Sequence, residues 1–308
     1  MFTLKTDNDR LLLASPDLRA EIYLYGGLLN RYEIRRPDGT WFNIVKAYDT
    51  PQHARKSLTE WFRSGKLSPY ACRLRHGKYS FDGKAYQCGK FKLAEHAAHG
   101  LMYDREFTLV NSHADGQSAE VEIRADYAQD DSGYPFPFSL TVRYLLSADG
   151  LSIRSTVRNQ GTTAMPLADG WHPYFTLGGK TDDWSLEIDS SKRLGFDADL
   201  VPDGSMIDDT RFQTTSSLAG IELDNSFVLA RQKPAACTLS GKGLTLSIYP
   251  DASYPYLQIF TPSTRDTIAI ENLSGAPDCF NNGLGLIKLD TGEEAAFETR
   301  YHIAANRP

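Results

Sequence analysis

Short runs in which apolar and polar residues alternate are the feature that most limits how this chain can fold. They recur at residues 119–124, 139–144, 151–157, 244–249, 257–260 and 267–270. Because successive side chains of a strand point to opposite faces, this alternation predicts strands with one buried face. Turn signals separate the runs, at residues 37–39, 82–83, 148–150, 202–204 and 291–292. Strand follows strand without regularly interposed helices, so the sequence predicts packed antiparallel sheets.

One segment has a different pattern. Residues 52–66 combine a helix-favouring composition with the grouped side chains of Leu58, Trp61 and Phe62. Thr50 and Pro51 supply a capping residue and a proline at the predicted helix start. We therefore expect an all-β chain with one or two short helices. No repeat, linker or low-complexity segment divides residues 1–308, so we expect a single domain.

Composition excludes several classes of protein. A net charge of −6 without a basic block argues against nucleic-acid binding. The sequence contains no apolar run of the length that a membrane span requires, and its first residues lack the pattern of a signal peptide, so we expect a cytoplasmic protein. The cysteines form no CxxC pair, which predicts free thiols and leaves one or two disulfides open; they are Cys72, Cys88, Cys237 and Cys279.

A histidine and a glutamate are the candidates for acid–base chemistry. Pro173 disfavours a helical conformation at His172, which predicts this imidazole at a strand end or in a rigid loop, where it could act as a general acid. Its neighbours Trp171 and Tyr174 offer rings on which a sugar could stack. Glu271 ends an apolar run, where poor solvation would raise its pKa and make it a general base. A structural histidine and a structural carboxylate are the alternatives.

Three further polar residues are candidates for ligand binding. Arg73 follows a Pro-Tyr turn and could donate a fork of hydrogen bonds to hydroxyls, or form a surface salt bridge. His99 follows His96 at a spacing that two metal ligands on a helix would show, but no third ligand is evident, so we expect no metal and a neutral, hydrogen-bonding histidine. Asp224 precedes a strand-like run and could accept bonds from sugar hydroxyls or cap its own turn.

Taken in order along the chain, these segments resemble the aldose 1-epimerase family. The resemblance covers nearly the whole chain, from the Gly-Gly and Arg-Pro-Asp-Gly-Thr turns between residues 26 and 40 to the Leu-x-x-Gly-Glu segment at 289–293. It implies a large twisted antiparallel β-sandwich of the galactose mutarotase type, with the sugar in a cleft on one sheet. It also implies an isomerase that acts on a small-molecule sugar without metal or cofactor, as a monomer or a homodimer.

The resemblance also implies roles for individual residues. Glu271 matches the general base of the family and His172 its general acid. The groups that hold the hydroxyls and the ring of the sugar are matched by Arg73, His99 and Asp224. Two alternatives stay open: a carbohydrate-binding module without turnover on the same fold, and a hydrolase or lyase that acts on a polysaccharide.

The sequence departs from the family pattern at two places. Cys72 stands where an asparagine is common, and the run 100–107 after His99 lacks the second glycine usual in galactose mutarotases. That run is closer to the divergent branch that includes hexose-6-phosphate epimerases, so the expected aldose is one with or without a phosphate group. A phosphate would need cationic partners, for which the candidates are Arg63, Lys66, Arg75 and Arg105.

Overall fold

The computed structural model describes residues 1–305. The strands of its first half are β1 (Thr3–Thr6), β2 (Arg10–Ala14), β3 (Leu18–Tyr23), β4 (Leu29–Arg35), β5 (Trp41–Asn43), β6 (Gly65–Leu67), β7 (Arg73–Leu74), β8 (Lys78–Phe81), β9 (Lys84–Gln87), β10 (Lys92–Leu93), β11 (His96–Ala98), β12 (Thr108–Ala114), β13 (Ser118–Tyr127), β14 (Phe138–Ser147) and β15 (Gly150–Asn159).

The strands of the second half are β16 (Met165–Leu167), β17 (Gly170–His172), β18 (Tyr174–Phe175), β19 (Ser185–Ile188), β20 (Lys192–Phe196), β21 (Pro202–Asp208), β22 (Ser216–Ser217), β23 (Asp224–Val228), β24 (Cys237–Gly241), β25 (Leu244–Pro250), β26 (Tyr256–Phe260), β27 (Ile268–Leu273), β28 (Ile287–Leu289) and β29 (Glu294–Ala305). The α-helices are α1 (Pro51–Trp61) and α2 (Cys279–Asn282).

Two large sheets dominate the fold. One has nine strands in the order β12-β13-β14-β15-β29-β25-β24-β19-β22. The other has eight, in the order β21-β20-β23-β26-β27-β17-β6, with β18 paired to β27. Neighbouring strands such as β13 and β14, or β26 and β27, run antiparallel. This arrangement confirms the predicted all-β antiparallel sandwich with two short helices.

The two large sheets face each other across an apolar core. The ring centroid of Phe175 in the eight-stranded sheet lies 5.3 Å from that of Tyr301 in the nine-stranded sheet. Asn272 Nδ2 of β27 donates a hydrogen bond to Thr299 Oγ1 of β29 at 3.2 Å. Because side chains alternate along a strand, the neighbours of these residues in β17, β18 and β27 point to the outer face of the eight-stranded sheet. That outer face carries the candidate site.

Helix α1 begins as the sequence predicts and ends earlier. Thr50 Oγ1 accepts a hydrogen bond from His53 N at 3.0 Å, and Pro51 occupies the first turn. The helix stops at Trp61 because Phe62 takes a left-handed conformation with φ of 50°. The prediction that the helix continues to Lys66 is therefore wrong: Gly65–Leu67 forms strand β6 and pairs with β17. The turn predicted at 202–204 is also wrong, since these residues begin strand β21.

The cysteines and the helices bear on two further expectations. All four cysteines are buried and unpaired. Within residues 1–305, neither helix reaches the length and hydropathy that crossing a membrane requires.

A buried ion pair lies between the two sheets. Lys66 Nζ of β6 donates hydrogen bonds to Asp169 Oδ1 at 2.5 Å and to Ser155 Oγ of β15 at 2.8 Å. Both charged side chains are fully buried, with 0% exposure. Burial lowers the pKa of Lys66 to about 8 and raises that of Asp169, although their attraction opposes both changes.

We expect the Lys66→Met variant to lose much of its stability. The substitution leaves the Asp169 carboxylate buried without its cation, which typically costs about 3–5 kcal/mol of the free energy of unfolding. Urea denaturation measures this loss. Lys288→Met, which removes one member of the exposed Lys288–Asp82 pair, is the matched control and should change stability little. Equal losses in the two variants would contradict the prediction.

Candidate active site

A cavity of about 230 Å³ opens on the outer face of the eight-stranded sheet. Its lining includes six of the seven residues that the sequence suggested for the site, which are Arg73, His99, His172, Tyr174, Asp224 and Glu271. Phe62, Phe91 and Phe196 are among the apolar side chains that line the remainder. The fold therefore brings together polar groups from distant parts of the chain in one pocket with a partly apolar lining.

The acid and base candidates are direct neighbours on the cavity floor. His172 ends β17 and Glu271 lies in β27, and the two strands are adjacent in the sheet. His172 Nε2 lies 3.3 Å from Glu271 Oε1, and the side chains are 9% and 3% exposed. Burial lowers the pKa of His172 to about 4 and raises the pKa of Glu271 well above its ordinary value, with repulsion from Asp224 acting in the same direction on Glu271. Burial thus disfavours the charged form of both side chains.

Asp224 and Arg73 lie at the side of this pair. Asp224 begins β23, and its Oδ1 accepts a hydrogen bond from Gln258 Nε2 at 2.6 Å. Burial raises the pKa of Asp224, while the positive charge of Arg73 opposes this rise. Arg73 itself has no ion pair with a carboxylate among residues 1–305. Its guanidinium is therefore available to donate hydrogen bonds to a ligand in the cavity.

His99 completes the polar lining. Its ring centroid lies 5.2 Å from that of His172 and 4.4 Å from that of Phe62. Burial lowers the pKa of His99 far below its ordinary value, helped by repulsion from His172 and Arg73, so the ring is neutral. His96 faces elsewhere, with Nδ1 accepting a bond from His76 N at 3.1 Å. In the described part of the chain, no three His, Cys, Asp or Glu side chains are grouped to hold a metal ion.

The suggestion that Trp171 stacks on a ligand is wrong. Trp171 is 3% exposed and belongs to the apolar core between the sheets, where its ring packs near Tyr144. The reason is the alternation of strand β17, which sends Trp171 to the inner face because His172 takes the outer one. Phe175 lies in the same core, whereas Tyr174 lines the cavity and stacks on His172 with ring centroids 5.0 Å apart.

Three further residues that line the cavity, and that were not among the sequence candidates, lie next to Glu271 or at the opening. Cys72 Sγ lies 3.8 Å from Glu271 Oε2, and Gln258 stands directly opposite Glu271 in the β26–β27 ladder. Trp61, at the end of α1, is 40% exposed and borders the opening. Register between two strands is not visible in a sequence, so no local signal identified Gln258.

Comparison with known proteins identifies the family of this chain. A family model described as aldose 1-epimerase matches residues 9–302. The chain belongs to this family. Among relatives, the uncharacterized protein YihR of Escherichia coli K12 is 27% identical over 237 residues, 74% of each chain. The galactose mutarotase of Bos taurus is 22% identical over 289 residues, which are 87% of this chain and 81% of that protein.

Solved structures of similar proteins share the fold of this aldose 1-epimerase family member. A galactose mutarotase-like protein from Clostridium acetobutylicum superposes with a TM-score of 0.85 at 17% identity, covering 99% of this chain and 98% of that one. A galactose 1-epimerase from Lactobacillus acidophilus has a TM-score of 0.81 at 19% identity, covering 100% and 99%. The sandwich is therefore of the galactose mutarotase type.

Proposed function

We propose that this protein is a cofactor-independent aldose 1-epimerase, which interconverts the α and β anomers of an aldose. The observation that carries the proposal is the 3.3 Å approach of His172 Nε2 to Glu271 Oε1 on the floor of the cavity. The anomeric hydroxyl O1 and the ring oxygen O5 are bonded to the same carbon, so a base for one and an acid for the other must lie close together.

In the proposed mechanism, Glu271 takes the proton of the O1 hydroxyl while His172 protonates O5. The C1–O5 bond breaks and the open-chain aldehyde forms. Rotation about C1–C2 then presents the other face of the carbonyl, and the reverse proton transfers close the ring. The reaction starts from the state in which His172 carries the proton and Glu271 is ionised. Burial disfavours both charges, and the 3.3 Å contact between His172 Nε2 and Glu271 Oε1 offsets part of that cost.

The binding contacts in this proposal come from the other cavity residues. Arg73 and the neutral His99 donate hydrogen bonds to the sugar oxygens, and Asp224 accepts them. Tyr174 offers its ring to the apolar face of the sugar. A cavity of about 230 Å³ suits a single ring rather than a polymer, which favours this function over a polysaccharide hydrolase or lyase.

Polarimetry of freshly dissolved sugars tests the function. The protein should speed the approach to anomeric equilibrium of α-glucose, α-galactose or glucose 6-phosphate. The sugar with the highest kcat/KM is the preferred aldose. Binding of a sugar without any acceleration would reject the enzyme and favour a carbohydrate-binding module. Release of reducing ends from a panel of polymers would favour the hydrolase instead.

The pH dependence should be bell-shaped, because the reaction needs one proton on the pair. As pH falls through about 4, the pKa of His172, a second proton binds and no base remains, so activity is lost. As pH rises through the raised pKa of Glu271, the pair loses its only proton and no acid remains. Measuring kcat/KM against pH checks this. An acid limb near 6.5, the ordinary pKa of histidine, would contradict it.

A phosphate on the sugar is a refinement that one observation favours. A second cavity of about 120 Å³ adjoins the first and shares Trp61 and Tyr174 with it. Arg63 lines it and has no ion pair with a carboxylate among residues 1–305, whereas its neighbour Lys46 is paired with Asp266 at 2.8 Å. We propose Arg63 as the group that would bind such a phosphate.

The other three cations suggested for a phosphate lie elsewhere. Lys66 is buried in the core with Asp169, Arg75 is paired with Asp197 and Arg105 with Asp130. None of these three borders either of the two adjoining cavities. Their predicted contribution to phosphate binding is therefore withdrawn.

The Arg63→Gln variant tests the refinement. It should raise KM for glucose 6-phosphate about tenfold to a hundredfold, which corresponds to the loss of one hydrogen bond between charged groups. KM for glucose should stay almost unchanged. Arg105→Gln, which removes a paired arginine far from the cavity, is the control. Equal effects of Arg63→Gln on both sugars would contradict a phosphate site.

We also propose that residues 1–308 form one domain, because the largest apolar cluster runs from Leu11 to Ile303 and includes residues of both large sheets.

We propose a cytoplasmic location, because four buried, unpaired thiols are typical of a reducing compartment. The choice between monomer and homodimer stays a prediction for sedimentation or scattering measurements.

A further inference from the structure

The buried Lys66–Asp169 pair lies directly behind the strands that carry the acid and the base. Besides the lysine, Asp169 Oδ1 accepts a hydrogen bond from Tyr254 OH at 2.8 Å. Within residues 1–305, Lys66 is the only lysine or arginine that is buried. Two charged side chains at this depth need an explanation, since lysine and aspartate are rarely fully buried.

Asp169 is tied to both catalytic strands. It lies three residues before His172. Its backbone N–H donates to Ser274 Oγ at 2.7 Å, and Ser274 N–H donates to the Asp169 carbonyl oxygen at 2.8 Å. Ser274 in turn lies three residues after Glu271. Asp169, which binds the buried lysine, thus links the start of the strand that carries His172 to the end of the strand that carries Glu271.

The register of strand β17 is set mainly by its pairing with β6, the strand that carries Lys66. Strand β17 is three residues long; it pairs with β27 through Gly170 and Leu273 alone, but with β6 through all three of its residues, and Lys66 stands opposite Trp171. A slip of one residue would turn Trp171 into the cavity and His172 into the core, because side chains alternate. Lys66 Nζ lies 4.3 Å from the centroid of the Trp171 ring, so the lysine also holds the neighbour of His172 on the inner face.

A buried ion pair contributes little net stability, because removing two charges from water costs about as much as their attraction returns. Its hydrogen bonds are directional, however, which suits it to fixing a geometry. We propose that the Lys66–Asp169 pair is a positioning device that sets the register of β17 and thereby the approach of His172 to Glu271. Its kinetic consequence rests on the proposed epimerase function, and its structural consequence does not.

The double variant Lys66→Met/Asp169→Leu separates positioning from stability. It leaves no unpaired charge, so we expect it to fold with a Tm near that of the wild type. We expect kcat to fall on the order of tenfold to a hundredfold, because small misplacements of a catalytic group are costly. KM should change little, since Arg73 and Asp224 lie on other strands. Lys288→Met/Asp82→Leu, at an exposed pair, is the matched control.

A folded double variant with the kcat of the wild type would overturn the proposal, because a merely structural pair is dispensable once stability is restored. If the double variant does not fold, Lys66→Arg carries the same test. This change keeps a cation beside Asp169, so no charge is left unpaired, but it moves the donors that hold the carboxylate. We expect kcat to fall several-fold with KM nearly unchanged, and an unchanged kcat overturns the proposal.

A measurement without turnover separates this proposal from the proposed function. The NMR signals of the His172 ring, assigned with the His172→Gln variant, should shift in the positioning variants and stay fixed in the control. Wild-type protein that fails to accelerate mutarotation would reject the epimerase function alone. Unshifted His172 signals in the folded double variant would reject the positioning role, whatever the activity.

Discussion

Replacing Glu271 by glutamine is expected to lower kcat for mutarotation by about 10²–10⁴-fold, the usual contribution of a positioned general base. Glutamine keeps the size of the side chain and cannot accept the O1 proton. Since Glu271 is 2% exposed and its pKa is raised by burial, the neutral amide should also be tolerated by the fold. Polarimetry on the best substrate measures kcat and KM, and thermal unfolding verifies that the variant is folded.

Glu120→Gln is the control for this substitution. Glu120 forms an ion pair with Arg143 on strands β13 and β14, away from the cavity. Its loss should leave kcat unchanged. If Glu271→Gln turns over at the wild-type rate, Glu271 is not the base, and Asp224 becomes the next carboxylate to test.

The large strands could be predicted from the sequence because each carries its own signal. Alternation in β13, β14 and β15 is visible locally, and the structure buries every second residue along β13. The same alternation could have excluded Trp171 from the cavity, since it is adjacent to His172 and adjacent residues of a strand face opposite sides. The aromatic character of the segment suggested stacking on a ligand, and the alternation of β17 overrides that suggestion.

Strand β6 could not be predicted, because its central residue contradicts the usual pattern. Because a lysine is rarely buried, Lys66 was included at the end of the predicted helix, whereas the structure buries it completely. Its partner Asp169 is far away in the chain and becomes a neighbour only through the pairing of β6 with β17. The left-handed Phe62, which ends the helix, is likewise a conformation that few side chains adopt and that composition does not indicate.

The residues of the candidate site could be named from the sequence, and the resemblance implied the roles of His172 and Glu271, but the contact between the two side chains could not be predicted. His172 and Glu271 were singled out separately, each with a structural alternative. They form a pair because β17 and β27 are adjacent antiparallel strands, and no local sequence pattern indicates which strands are adjacent. The opposite directions of their pKa shifts also follow from shared burial rather than from any sequence neighbour.

Replacing His172 by glutamine is expected to lower kcat by about 10²–10⁴-fold, because the amide cannot protonate the ring oxygen. KM should change little, since Arg73 and Asp224 remain. The residual activity should have an acid limb set by Glu271 alone, at higher pH than in the wild type, because Glu271 must still lose its proton to act as the base. His113→Gln, at an exposed histidine on the edge strand β12, is the control and should behave as the wild type.

The double variant His172→Gln/Glu271→Gln is the sharper form of this prediction. Ring opening needs both proton transfers in the same step, so the two residues act as a unit and their losses should not add. We expect the double variant to be about as slow as the slower single variant. Losses that multiply would mean that each residue acts in a separate step, and the 3.3 Å approach of their side chains would then need a different explanation.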